Sequence, residues 1–191
     1  MIKNHNKGSI EIICGPMFSG KTEELIRRLK RSIIAKKKIL VFKPKIDDRY
    51  SDEYVVTHNK NSIKSISIDS NSENKILDLS TGVNTIGIDE IQFFSKNIIS
   101  VCIELSKKGK RVIVSGLDKD FEGKPFGIMP NLLCEAEYVT KLNAICNKCG
   151  DYAYFTKRIS DDKDQVVLGE KDIYEANCRQ CYYNKWGIRY G

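Results

Sequence analysis

At 191 residues, with 41% hydrophobic and 30% charged side chains, the chain can bury one good core and carry a small appended module, in the proportions of an ordinary globular protein. No apolar run approaches the roughly 20 residues that span a bilayer, and the start (Met1-Ile2-Lys3-Asn4-His5-Asn6-Lys7) lacks the apolar segment of a signal peptide, so a cytoplasmic protein with no membrane partner is expected. The net charge of +7 suits anionic ligands, but its lysines and arginines are scattered along helices and loops, which argues against a dedicated nucleic-acid face.

Ile10, Glu11, Ile12, Ile13 and Cys14 read as a buried strand, and a helix is expected from about Lys21 to Ala35, with Leu25, Ile26, Leu29 and Ile33 on one face. Between them Gly15-Pro16-Met17-Phe18-Ser19-Gly20-Lys21-Thr22 fits G-x-x-x-x-G-K-[S/T], a phosphate-binding loop. Its glycines let successive main-chain N–H groups turn towards phosphate oxygens; Lys21 adds charge near the β- and γ-phosphates, and the Thr22 hydroxyl can ligate Mg²⁺. A second strand over residues 39–42, closed by Pro44, completes a βαβ opening. Residues 47–80 are polar and weakly patterned, with short strands expected at 54–57 and 64–68 and a Ser/Asn-rich tract at 70–74.

The pattern resumes with a strand over residues 85–89, a helix presenting Ile98, Val101, Cys102 and Leu105, and a strand over 111–117. A short helix at 130–135 and a strand at 138–142 follow. The expected fold class is α/β: a P-loop domain over residues 1–142, with a mostly parallel sheet flanked by helices, and a small C-terminal zinc-binding domain over 143–191.

Asp89 and Glu90 stand at the carboxyl end of their strand, where open α/β sheets bind ligands. Asp89 would hold Mg²⁺, and Glu90 would orient and deprotonate the attacking group. Water as attacker makes an ATPase and a bound hydroxyl makes a kinase; the two acids do not decide between them. Phe93, Phe94, Phe121 and Phe126 follow strand ends, where aromatics can wall a slot for a flat base, with Phe94 the best candidate for plain core. The nearest approach to a guanine-reading Asn-Lys-x-Asp tetrad, Asn147-Lys148-Cys149-Gly150, lacks the Asp, which argues against a GTPase.

The seven cysteines fall into two sets. Cys146 with Cys149 and Cys178 with Cys181 form two CxxC knuckles, which in a cytoplasmic chain supply four thiolates for a closed, structural Zn²⁺ site. Cys14, Cys102 and Cys134 read as small buried hydrophobes. A P-loop, a basic chain and a metal site together leave a zinc-ribbon nucleic-acid ATPase as the rival reading.

Gly15 to Thr22, Asp89-Glu90-Ile91-Gln92-Phe93-Phe94, Ser115-Gly116-Leu117-Asp118, Lys124-Pro125-Phe126-Gly127, Thr156-Lys157-Arg158 and the paired knuckles, in this order, resemble the type II thymidine kinases across nearly the whole chain. The resemblance implies transfer of the γ-phosphoryl group of ATP to the 5′-hydroxyl of thymidine or deoxyuridine with Mg²⁺, a structural Zn²⁺, inhibition by thymidine triphosphate and a homotetramer without nucleic acid. It implies Glu90 as general base and Gly15, Pro16, Met17, Phe18, Ser19, Gly20, Lys21, Thr22, Asp89, Glu90, Ile91 and Gln92 as the donor-phosphate and Mg²⁺ region, with Asp47 and Arg49 on a loop near the donor. It places Met17, Phe93, Leu117, Phe121, Phe126, Thr156 and Tyr174 around the base. Gln165, Val166, Val167, Leu168 and Gly169 correspond to a lasso-like loop that closes over the nucleoside and reads it through main-chain groups. Ile91 departs from the smaller residues frequent at its position, and the arginine assisting transfer stays open among Arg27, Arg49 and Arg158.

Overall fold

Strands that are apolar at odd and even positions alike need cover on both faces, and helices supply it. A computed structural model describes residues 7–45, 54–56, 62–159 and 173–184. The described chain runs β1 (Ser9–Cys14), α1 (Lys21–Ile34), β2 (Ile39–Pro44), β3 (Tyr54–Val56), β4 (Ser62–Lys64), β5 (Ile66–Ile68), α2 (Asn74–Leu79), β6 (Thr85–Ile88), α3 (Asn97–Lys107), β7 (Arg111–Gly116), α4 (Met129–Glu135) and β8 (Tyr138–Lys141). It continues through β9 (Ala144–Ile145), β10 (Tyr152–Ala153), β11 (Phe155–Arg158), β12 (Tyr174–Asn177) and α5 (Arg179–Tyr183).

The main sheet has six strands in the order β5-β2-β6-β7-β1-β8, and every pairing in it is parallel. Side-chain alternation splits its strands between two helical layers. Ile10, Ile12, Val112 and Val114 meet α3 through Ile98, Val101, Cys102 and Leu105, with Met129 and Leu132 of α4 in the same cluster. Ile13, Val41 and Ile113 face the other way, onto Leu25, Ile26 and Leu29 of α1. Gly87 lets α1 lie close, since a Cβ there would stand 2.8 Å from a Leu29 methyl. The chain leaves β1 across β7 and β6 to reach β2, and later returns past β1 to β8, so the carboxyl ends of β1, β6 and β7 border the crevice where such sheets bind ligands.

The expected strand at 64–68 is two strands divided at buried Ser65. β4 pairs antiparallel with β3, while β5 joins the parallel sheet beside β2. α2 was not legible in the polar tract, because a helix of six residues with only Ile76 buried leaves no 3.6-residue period. Cys14 and Cys102 are buried as expected, but Cys134 is exposed. It lies two positions, about 200° of helical turn, beyond buried Leu132 and so on the outer side of α4. After β8 the chain forms two antiparallel pairs, β9 with β10 and β11 with β12.

A charged network sits between α1 and the sheet. Glu11 of β1 accepts from Arg28 Nη1 at 2.9 Å and from Arg111 Nε and Nη2 at 2.5 and 3.0 Å, while Arg28 also donates to Thr140 of β8 at 2.8 Å. Glu11→Ala leaves both guanidiniums without that partner. A loss of about 2 kcal/mol in urea unfolding is expected, and a change below about 0.5 kcal/mol would assign the network no net role.

Candidate active site

The phosphate-binding loop needs glycine at two places. Gly15 has φ 149° and lies so close to the strand-end turn that a Cβ would meet the Leu142 carbonyl oxygen at 2.5 Å; Gly20, at φ 79°, hands the chain into α1 from the left-handed region. The Pro16 carbonyl ties the loop together by accepting from Ser19 Oγ at 2.8 Å and from the buried Lys21 Nζ at 2.7 Å. Burial lowers the Lys21 pKa from its ordinary value, against the opposing fields of Glu90, Asp89 and Asp118.

Asp89, just beyond β6, joins three elements. Its Oδ2 accepts from the Thr22 hydroxyl of α1 at 3.1 Å, and its Oδ1 accepts from the Ser115 hydroxyl of β7 and from the Glu90 N–H at 3.1 Å. Burial, then the neighbouring Glu90 charge, pushes its pKa up to about 6 despite those hydrogen bonds. The Thr22 hydroxyl and Asp89 carboxylate are hard oxygen donors of the kind Mg²⁺ takes, so the residues present fit that ion. The sequence placed Ser115 in a motif of the resemblance without giving it a role; its hydroxyl, one residue before the end of β7, is brought to Asp89 by the pairing of β6 with β7.

Glu90 occupies the left-handed region (φ 50°, ψ 42°), uncommon for a residue with a Cβ, and opens a 3₁₀ turn over Ile91–Phe93. Its Oε2 accepts from Gln92 Nε2 at 2.6 Å, and Gln92 Oε1 accepts from the Leu117 N–H at 3.1 Å. Ile91 is fully buried in the core on the α3 side, where its bulk is packing.

The residues expected around a base fall into linked groups. Thr156 Oγ1 accepts from the Met17 N–H at 2.9 Å, joining the phosphate loop to β11. Phe93 and Phe126 meet edge to face at 5.7 Å, while Phe94 is core. The buried Arg158 guanidinium lies 3.8 Å from the Phe121 ring centre and donates to the Tyr174 hydroxyl at 2.7 Å, so it belongs with these aromatics. Arg27 has a 59% exposed side chain paired with Glu24 on α1. Asp47, Arg49, Gln165, Val166, Val167, Leu168 and Gly169 lie outside the described residues.

The Sγ atoms of Cys146, Cys149, Cys178 and Cys181 all lie within 4.8 Å of one another, and Cys149 Sγ is 3.7 Å from Cys178 Sγ. A tetrahedron with Zn–S bonds of about 2.3 Å has edges of about 3.8 Å, so four thiolates in this cluster fit Zn²⁺. Each knuckle is a tight turn: Gly150, at φ 79°, donates to the Cys146 carbonyl at 3.0 Å, and the Tyr182 N–H to the Cys178 carbonyl at 2.9 Å. Asn147 joins the knuckles, donating through its N–H to the Ala176 carbonyl at 2.9 Å and accepting from the Ala176 N–H on its side chain at 3.0 Å. Phe18 of the phosphate loop packs on the small apolar cluster around these cysteines.

A glycine-bearing loop opening a helix beside an acid-ended parallel strand, with a four-cysteine cluster that could hold a metal packed against that loop, defines a P-loop α/β protein. A family model described as Thymidine kinase matches residues 8–182, and the chain belongs to the thymidine kinase family, a family of kinases. It is 50% identical over 185 residues to a thymidine kinase of Bacteroides thetaiotaomicron, covering 97% of this chain and 92% of that protein. A thymidine kinase of Rhodothermus sp. is 50% identical over 175 residues (92% and 81% covered), and one of Bacteroides fragilis strain YCH46 is 51% identical over 180 (94% and 89%). Domain III of the Thermotoga maritima replication initiation protein DnaA superposes with a TM-score of 0.45 at 13% identity over 74% of this chain and 58% of that chain, a likeness too slight to bear on function. No described helix is long and apolar enough to cross a membrane.

With an ordinary pKa of 3.8 and a folded value of about 6, Asp89 holds its proton longer in the native state than in the unfolded chain. Its ionisation therefore costs native stability as pH rises from about 4 to about 6. In Mg²⁺-free buffer the melting temperature of Asp89→Asn relative to the native protein should move upward between pH 4 and pH 7. A difference that stays constant across that range would show that the carboxylate does not titrate this way.

Proposed function

We propose that the protein transfers the γ-phosphoryl group of ATP to the 5′-hydroxyl of thymidine or deoxyuridine, giving the nucleoside monophosphate and ADP. The observation that carries this reading is the meeting of Thr22, Asp89 and Glu90 at the mouth of the phosphate-binding loop. The loop N–H groups and Lys21 hold the donor phosphates, and Phe93, Leu117, Phe121, Phe126, Met17, Thr156 and Tyr174 surround the base. The nucleoside 5′-oxygen attacks the γ-phosphorus as the bond to the β-γ bridging oxygen breaks, and Glu90 takes the hydroxyl proton. Mg²⁺ held by Thr22 and Asp89 would supply compensation of the phosphate charge. Residues 1–142 serve as the nucleotide-binding domain and 143–191 as a zinc domain; a cytoplasmic homotetramer inhibited by thymidine triphosphate completes the reading.

The test is a labelled-ATP assay run in parallel with thymidine, deoxyuridine, deoxycytidine and no acceptor, following nucleoside monophosphate and free phosphate. Monophosphate is expected with thymidine or deoxyuridine alone; free phosphate without nucleotide product overturns the kinase reading in favour of a nucleic-acid ATPase. Glu90→Gln is expected to keep ATP and thymidine binding and to lose at least about a hundredfold in kcat. Because the cysteine cluster carries β9, β12 and the β11 contact with Met17, Cys146→Ser is expected to weaken thymidine binding, measured by calorimetry. Unchanged affinity in a zinc-free variant would separate the metal from the nucleoside site.

A further inference from the structure

We infer that Gln92 is a positioning residue that holds the Glu90 carboxylate in its reactive orientation and links it to the end of β7. This rests on the reading of Glu90 as general base. Gln92 is 4% exposed, and both ends of its amide are engaged: Nε2 donates to Glu90 Oε2 at 2.6 Å, and Oε1 accepts from the Leu117 N–H at 3.1 Å. The amide fits in one sense only, because a flip would set oxygen against carboxylate oxygen and NH₂ against N–H. Binding at Oε2 leaves Oε1 to receive the proton.

Two features are built around this strut. Gly116 makes room for it: a Cβ there would lie 2.5 Å from Gln92 Oε1 and 3.0 Å from Ile91 Cγ2. The Glu90 backbone is held in its left-handed conformation from both sides, its N–H donating to Asp89 Oδ1 at 3.1 Å and its carbonyl accepting from the Phe93 N–H at 3.1 Å. A glutamate side chain has three rotatable bonds, so backbone restraint alone does not aim the carboxylate. The Gln92 amide supplies the missing restraint, and errors of about 1 Å in such placement can cost on the order of a hundredfold in rate. Since Leu117 borders the expected base site, the amide also connects the seat of the nucleoside to the base that would deprotonate it.

The test is a double-mutant cycle read by single-turnover and steady-state kinetics. Gln92→Met removes both hydrogen bonds at similar length, and Gln92→Glu keeps an acceptor for the Leu117 N–H but loses the donor to Glu90. In the native background both should lower kcat about tenfold to a hundredfold, with KM for thymidine and ATP within about threefold. In the Glu90→Gln background, Gln92→Met should change the residual rate less than about twofold, because nothing remains to aim. An equal loss in both backgrounds, or a loss carried by KM, overturns the positioning role; so does native kcat in Gln92→Glu, the variant that decides if Gln92→Met does not fold. Native turnover in Glu90→Gln alone overturns the general-base reading itself, an outcome visible before Gln92 is touched.

Discussion

The carboxyl end of the sheet beside the phosphate-binding loop is organised around the buried carboxylate of Asp89. Asp89 is reached at once by the Thr22 hydroxyl from α1, the Ser115 hydroxyl from β7 and the Glu90 main chain that follows β6. Removing a carboxylate from water is costly unless donors surround it, and here the donors come from three different elements. Their mutual placement is therefore part of the same free-energy balance as the acid itself. The helix that follows the phosphate loop, the acid-ended strand β6 and the neighbouring strand β7 all meet on this group, so a shift in one is felt by the others.

A second linkage runs from the phosphate loop to the cysteine module. Met17 donates its N–H to Thr156 of β11, and Phe18, in a left-handed conformation at φ 63°, packs against the small cluster around the cysteines. Uncommon backbone geometry persists only where surrounding contacts over-determine it, and here those contacts come from sequence more than a hundred residues away. A metal clamping both knuckles would thus order the support of the donor loop as well as β12, which brings Tyr174 to Arg158. Arg158, the last residue of β11, lies over the Phe121 ring and is bonded to Tyr174, so it ties these aromatics to β11.

Membership of the thymidine kinase family agrees with this wiring, since a kinase must bring a donor phosphate and an acceptor hydroxyl together while keeping water from the reaction. In the geometry seen here Lys21, Thr22 and Asp89 lie together at the phosphate-binding loop, Phe121 and Tyr174 meet through Arg158, and Gln92 bonds Glu90 on one side and the Leu117 N–H on the other.

What the sequence determined by itself was local chemistry. The spacing of Gly15, Gly20, Lys21 and Thr22, the adjacent acids at Asp89 and Glu90, and the two CxxC knuckles are short patterns whose chemistry depends on neighbours in the chain, and the alternation of apolar runs dictated helices on both faces of a parallel sheet. Only the tertiary structure decided the pairings that cross the chain: Ser115 and Thr22 on Asp89, Gln92 between Glu90 and Leu117, and Thr156 on Met17. It also split the 64–68 segment between two sheets and turned Cys134 outward. The physical reason is that a hydroxyl or amide carries no periodic signal of its own; its partner is chosen by which strands the sheet places side by side, and that order is a property of the whole fold.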